Sequence, residues 1–112
     1  MREIKFRAWE SSTKRMIEDA TYSEECRHDV NPWIYMQYTG LKDKKGKGIY
    51  EGDLYRDSTG VSLITWNNIF ASFCIRRNGW LYDHFFSEVV VPEDGEVIGN
   101  IYENPELLKK MK

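Results

Sequence analysis

The sequence lacks the features that mark membrane proteins and disulfide-stabilised secreted proteins. No apolar run approaches the roughly 20 residues of a membrane helix, and the N-terminus has no apolar stretch typical of a signal peptide. Only two cysteines occur in 112 residues, and they are far apart in sequence, so reduced thiols are favoured over a disulfide scaffold. These absences predict a cytoplasmic protein without a membrane segment.

An excess of one charge sign is also missing. Sixteen basic and eighteen acidic residues give a net charge of −2. Non-specific binding of nucleic acid depends on many cations that neutralise phosphates, so this balance weighs against it without excluding a local basic patch. The length fits a single domain over residues 1–112, which can bury a core without covalent cross-links.

Aromatic residues are abundant, at 14% of the chain. Rings pack well on a pleated sheet, and short aromatic or β-branched runs recur here between turn signals. This pattern predicts a mainly β fold, either a small SH3-like barrel or a folded β-sheet.

Local signals place several elements of this fold. Residues 4–17 read as a hairpin, and residues 33–39 as a strand that Gly40 ends. Gly46 closes a turn that needs a positive φ, and a second turn follows at residues 51–53. An Asn-Gly pair at residues 78–79 predicts a later hairpin.

The C-terminal segment changes character and predicts a short α-helix. Asn104 caps free amides, Pro105 fits the first turn, and Glu106 opposes the positive end of the helix dipole. The apolar side of this helix would consist of three residues, Leu107, Leu108 and Met111.

Three stretches together resemble the YopX family of small phage and prophage proteins. They are residues 1–9 (MREIKFRAW), residues 36–53 (MQYTGLKDKKG followed after two residues by IYEGD) and residues 97–108 (VIGNIYENPELL). They occur in the family's order and reach both ends of the chain. The resemblance implies a mainly β domain of phage origin, working in a bacterial host and self-associating, with no family catalytic residues to transfer.

The residues offer little support for an enzyme or a metal site. Cys26, His28, Cys74 and His84 are the only Cys and His residues, and their spacing matches no common zinc pattern. Asp83 beside His84 would point to the opposite face of a strand. The glycines between residues 40 and 52 lack the strand-to-helix context of a phosphate loop, so turns explain them better. We therefore expect no catalytic, cofactor or metal residues.

A basic hairpin tip is the candidate for contact with nucleic acid. Its lysines, together with nearby Tyr38, Tyr50 and Tyr55, would form a surface that contacts phosphates and stacks on bases. Lysines on a hairpin more often protect an edge or aid solubility. Arg76 and Arg77 lie on another hairpin and are candidates to extend the same face. The four lysines of this tip are Lys42, Lys44, Lys45 and Lys47.

The aromatic surplus favours an interface as well as a core, because rings are enriched at protein interfaces. Phe85 and Phe86 are the preferred candidates, since adjacent strand residues point to opposite faces. The apolar side of the C-terminal segment (Leu107, Leu108 and Met111) would dock on the domain itself or on a neighbouring subunit. The leading hypothesis is a self-associating phage accessory module that forms homo-oligomers and has a host or phage protein as a binding partner. The alternative is a nucleic-acid-binding small barrel.

Overall fold

The computed structural model describes residues 3–20, 33–77, 84–85 and 94–110, which form two antiparallel sheets. One sheet is curled into a half-barrel, and the mainly β prediction is confirmed. The strand orders are β2-β1-β3-β4 in the first sheet and β8-β7-β6-β5-β9 in the second. The strands are β1 (Phe6–Glu10), β2 (Arg15–Ile17), β3 (Trp33–Lys42), β4 (Gly48–Tyr50), β5 (Asp53–Asp57), β6 (Gly60–Asn67), β7 (Ser72–Arg76), β8 (His84–Phe85) and β9 (Glu96–Asn100).

The predicted N-terminal hairpin is present as β1 and β2, with Glu10 opposite Arg15. Its turn is closed by the Glu10 carboxylate, which accepts hydrogen bonds from the backbone N–H and the hydroxyl of both Ser12 and Thr13. These donors hold the pKa of Glu10 at about 2. A single acidic side chain therefore organises the whole turn.

The prediction that Gly40 ends its strand is wrong. β3 continues through Gly40 to Lys42, and the register with β4 shifts between Tyr38 and Lys42. Gly40 has a φ of 89°, so it supplies the left-handed conformation that a bulge inside a strand requires. The glycine bends the strand instead of stopping it.

The predicted turn at residues 51–53 connects the two sheets. Gly52 has a φ of 87°, donates a 2.8 Å hydrogen bond to the carbonyl of Ile64 and accepts a 3.0 Å bond from the N–H of Ile101. The chain leaves the first sheet here and enters β5 of the second. This turn therefore fixes the relative position of the sheets.

The apolar core lies mostly against the second sheet. Ile64, Ile75 and Tyr55 are fully buried there, and Val97 of β9 packs against them. A smaller cluster forms in the first sheet around Ala8. The main cluster consists of Ile49, Tyr55, Ile64, Phe73 and Ile75.

A buried ion pair joins β1 to β5. The Nη2 of Arg7 lies 2.5 Å from Oδ1 of Asp53, and the side chains are only 4% and 0% exposed. Asp53 Oδ2 accepts a 2.8 Å bond from the N–H of Tyr50, whose ring also lies under the Arg7 guanidinium. Burial raises the pKa of Asp53, although Arg7 and the Tyr50 amide oppose that rise. The sequence pattern gives no sign of this pair.

The predicted C-terminal α-helix is also wrong, because residues Pro105–Lys110 form a 3-10 helix. The N–H of Leu107 bonds to the carbonyl of Asn104 at 3.0 Å, which is the i to i+3 pattern of that helix. Six residues are too few to support an isolated α-helix without extensive packing. Asn104 acts within the preceding turn, where its side-chain oxygen accepts the N–H of Asn100.

Candidate interaction surfaces

The lysine hairpin is the loop between β3 and β4, with Lys42, Lys44, Lys45 and Lys47 all exposed. Asp43 organises it: Oδ1 accepts the N–H groups of Lys45 and Lys47, each at 2.9 Å. Oδ2 accepts the N–H of Val97 at 2.9 Å, so the loop is tied to β9. Burial raises the pKa of Asp43, but the three donors outweigh it and the pKa is lowered.

An ion-pair network reduces the free charge of this hairpin. The carboxylate of Glu96 lies 2.9 Å from Lys45 Nζ and 2.8 Å from Arg56 Nη2. These two cations lower the pKa of Glu96 to about 2. Lys42, Lys44 and Lys47 make no ion pair with an acidic side chain in the part of the chain that the structure describes.

We expect the stability of the fold to decrease in acid, with Glu96 as one of the groups responsible. Its folded pKa is depressed from 4.5 to about 2, so its contribution is fully present above about pH 4.5 and is lost as pH falls through the folded value. Urea unfolding between pH 7 and pH 2.5 should show this loss. Glu96→Gln should make the free energy of unfolding less dependent on pH over this range. An equal reduction in Glu106→Gln, an exposed glutamate of the 3-10 helix, would contradict the assignment to Glu96.

The rings expected to stack on bases are not available at the lysine hairpin. Tyr38, Tyr50 and Tyr55 are 3%, 7% and 0% exposed. Tyr38 and Tyr50 pack on each other with ring centroids 5.3 Å apart. Base stacking needs a free ring face, so the hairpin offers cations alone.

The two candidate arginines, Arg76 at the end of β7 and Arg77 directly after it, do not extend the face of the lysines. Arg77 is 9% exposed, and its Nε donates to Ser62 Oγ at 2.7 Å while its Nη2 lies 3.5 Å from Asp57. Arg76 lines a groove that contains none of the four lysines. Arg77 therefore supports the fold of β5 and β6 rather than a binding face.

An exposed apolar tip lies at the turn between β6 and β7. We call Trp66, Ile69 and Phe70 the aromatic tip; their exposures are 40%, 89% and 53%. Asn67 fixes this turn, because its Oδ1 accepts the N–H of Ile69 at 2.9 Å and of Phe70 at 3.1 Å. Trp66 is held by an edge-to-face contact with Phe73, at 5.0 Å between ring centroids. Apolar side chains are thus presented to solvent on an ordered turn.

A groove of about 260 Å³ adjoins the aromatic tip. Trp66 and Tyr35, which is 48% exposed, line it together with polar groups of Glu51 and Arg76. Both sheets contribute to its lining, because Tyr35 belongs to β3 and Trp66 to β6. Its apolar lining includes Met36, Leu63, Ile64, Ile101 and Tyr102.

The structure describes only some of the interface residues expected from sequence. Phe85 belongs to β8, an edge strand of the second sheet, and is paired with Cys74. Leu107 and Leu108 are half-buried on the 3-10 helix. Phe86 and Met111 lie outside the described residues, so an interface through this set stays a prediction.

Residues with potential for chemistry are dispersed in the described part of the chain. Cys74 is fully buried in β7, His84 is exposed in β8, and Cys26, His28 and Asp83 lie outside the described ranges. Within those ranges no three His, Cys, Asp or Glu side chains converge as a metal site. Nor does any helix among them have the length and apolar character needed to cross a membrane.

Comparison with known proteins supports the fold and identifies the family. The chain is similar to the crystal structure of protein EF1440 from Enterococcus faecalis, with 25% identity and a TM-score of 0.66 over 96% of this chain and 99% of that one. No protein with a curated description matches the sequence. The model of the YopX protein family matches residues 20–109, and the chain therefore belongs to the YopX family.

Proposed function

We propose that this protein is a self-associating interaction module, not an enzyme, encoded by a phage or prophage and acting in the bacterial cytoplasm. The observation that carries the proposal is the aromatic tip. Single exposed apolar residues are ordinary on a protein surface. Here an isoleucine, a phenylalanine and a tryptophan occur within five residues, at the end of β6 and in the turn that follows, with exposures of 89%, 53% and 40%.

The tip is well suited to docking because its backbone is already ordered. Asn67 satisfies two amides of the turn, and Ala71 holds a φ of 49°, a conformation that costs about 1 kcal/mol or more for a residue with a Cβ. A surface held in one conformation loses little entropy when it binds. Exposed aromatic residues supply most of the binding energy at many interfaces.

A second copy of the chain is the partner that fits this arrangement. The tip is exposed, the neighbouring groove is concave, and Trp66 belongs to both. Two copies related by a two-fold axis would place each tip against the groove of the other, as an isologous interface requires. The half-buried Leu107 and Leu108, together with Phe85, remain further candidates for contact.

The substitution Ile69→Asp tests this function. It places a charge at the most exposed apolar residue of the tip, and burying an unpaired carboxylate opposes association. We expect the dissociation constant of the self-associated form to rise by at least about tenfold, which corresponds to roughly 1.4 kcal/mol. Sedimentation velocity over a range of micromolar concentrations measures the change.

Ile4→Asp is the matched control, because Ile4 is also exposed, at 63%, but lies before β1 and away from the tip in sequence. This control should self-associate as the unmodified chain does. If the unmodified chain stays monomeric at high micromolar concentration, the proposal is refuted. Equal weakening by both substitutions would show that the tip is not the interface.

Binding of nucleic acid is the second candidate function. It is supported by three exposed lysines without ion pairs among the described residues, namely Lys42, Lys44 and Lys47. The tyrosines are buried and Lys45 is paired with Glu96. Only electrostatic attraction between the other lysines and the phosphates of a nucleic acid is left to support this function. We therefore place it behind self-association.

A further inference from the structure

A depression of about 340 Å³ lies beside the lysine hairpin and shares no residue with the groove next to the aromatic tip. Arg7 of β1 and Lys5, directly before that strand, line it together with Gly48 and Tyr50 of β4 and Lys47, directly before β4. Glu18 and Asp19, which follow β2, complete the lining. Three cationic side chains from two separate segments therefore meet in one concave site.

Arg7 is the central group of this depression. Its side chain is 4% exposed, and its guanidinium is fixed from two directions: Nη2 bonds to Asp53, and the Tyr50 ring lies 4.7 Å from Cζ. Nε of Arg7 is buried and has no acceptor among the residues that the structure describes. A buried donor without an acceptor is costly, and a guanidinium that is already immobilised loses little entropy on binding an anion.

Two ammonium groups reinforce the positive charge. Lys5 Nζ is held 4.7 Å from the centroid of the Tyr38 ring, with Glu3 at 3.9 Å as its ion-pair partner. Lys47 is exposed. Burial raises the pKa of Tyr50; Lys5 and Arg7 counteract that rise, and Glu18 and Asp19 add to it. We propose that this depression binds a small ligand through a carboxylate or phosphate group, with Arg7, Lys5 and Lys47 as the anion-binding residues.

The two carboxylates that line the depression limit the size of the anion. Glu18 and Asp19 are exposed carboxylates that line the same site. They repel an extended polyanion such as a nucleic-acid backbone, whereas a small ligand with a single anionic group meets less of this repulsion. The inference is therefore separate both from self-association and from binding of nucleic acid.

Titration of the ¹⁵N-labelled full chain by NMR tests the site. Sodium phosphate and sodium acetate are added separately, with sodium chloride adjusted to keep the ionic strength constant. We expect saturable shifts of the Gly48 and Tyr50 amide signals with at least one of the two anions, and the stronger of the two identifies the chemical group. Lys5→Ala and Lys47→Ala should each raise the dissociation constant by about threefold, as expected for a partly exposed charge.

Lys44→Ala is the matched control, because Lys44 is exposed on the same hairpin but does not line the depression. It should bind both anions as the unmodified chain does. Shifts that fail to saturate with either anion, or an equal loss of affinity in the control, would overturn the proposal. Displacement of the bound anion by a short single-stranded DNA would overturn the assignment to a small ligand.

Discussion

Replacing Arg7 with methionine is expected to lower the free energy of unfolding by about 3–5 kcal/mol, as for other buried ion pairs that lose one partner. Methionine keeps most of the volume of the side chain but removes its charge. Asp53 would then remain fully buried with the N–H of Tyr50 as its remaining hydrogen-bond donor. Urea unfolding monitored by tryptophan fluorescence measures the difference, since the chain contains four tryptophans.

Arg56→Met is the control for this substitution. Arg56 also pairs with an acidic side chain on another strand, but it is 57% exposed, whereas Arg7 is 4% exposed. Water solvates a surface carboxylate that loses its partner, so this variant should lose only a small fraction of the stability lost by Arg7→Met. Equal losses would mean that burial does not determine the strength of the Arg7–Asp53 pair.

The effect of Arg7→Met should also depend on pH. Burial already raises the pKa of Asp53, and Arg7 is the main group opposing that rise. A carboxyl with a raised folded pKa destabilises the fold as pH rises from its unfolded value through its folded value. The deficit of the variant relative to the unmodified chain should therefore be largest at neutral pH and smaller near pH 4.

The turns and hairpins of this fold were predictable because their signals are local. The φ of 83° at Gly46 and the turn at Gly52 follow from the need for a residue that tolerates positive φ. The N-terminal hairpin likewise follows from two short apolar runs around a polar turn. Gly40 shows the limit of this reasoning, because the same conformation serves a bulge inside a strand as well as a strand end.

Features that depend on distant residues were not predictable. Arg7 and Asp53 are separated by 46 positions, and each reads in sequence as an ordinary surface charge. Tyr38 and Tyr50 likewise fit an exposed stacking face as well as a core, and only the pairing of β3 with β4 places them against each other. The depression around Arg7 was missed for the same reason.

The aromatic tip was partly predictable from the sequence. Trp66 and Phe70 were among the surplus aromatic residues, but the preferred interface candidates were Phe85 and Phe86. The stronger signal was the position of Ile69 and Phe70 directly after Asn67 and Asn68, since turn residues usually lie at the surface of the protein. Apolar residues inside a turn are therefore a better guide to exposure than the number of rings.

Gly95→Ala is expected to lower the free energy of unfolding by about 3 kcal/mol, the upper part of the usual range for overpacking. A Cβ on Gly95 would lie 2.5 Å from the Tyr55 ring and 2.6 Å from the carbonyl oxygen of Arg56. Tyr55 is fully buried at the centre of the main cluster, so its ring has no free space into which to move. Thermal or urea unfolding of the variant measures the loss.

A second alanine variant and a double substitution separate this clash from the general effect of losing a glycine. Gly46→Ala meets no atom within 4 Å, and its cost should reflect only the strain of its φ of 83°, about 1 kcal/mol. Tyr55→Leu shortens the side chain in front of Gly95, so Gly95→Ala should cost less in that background than in the unmodified chain. An identical cost in both backgrounds would locate the strain at the Arg56 carbonyl, and a cost no larger than that of Gly46→Ala would refute close packing between Gly95 and Tyr55.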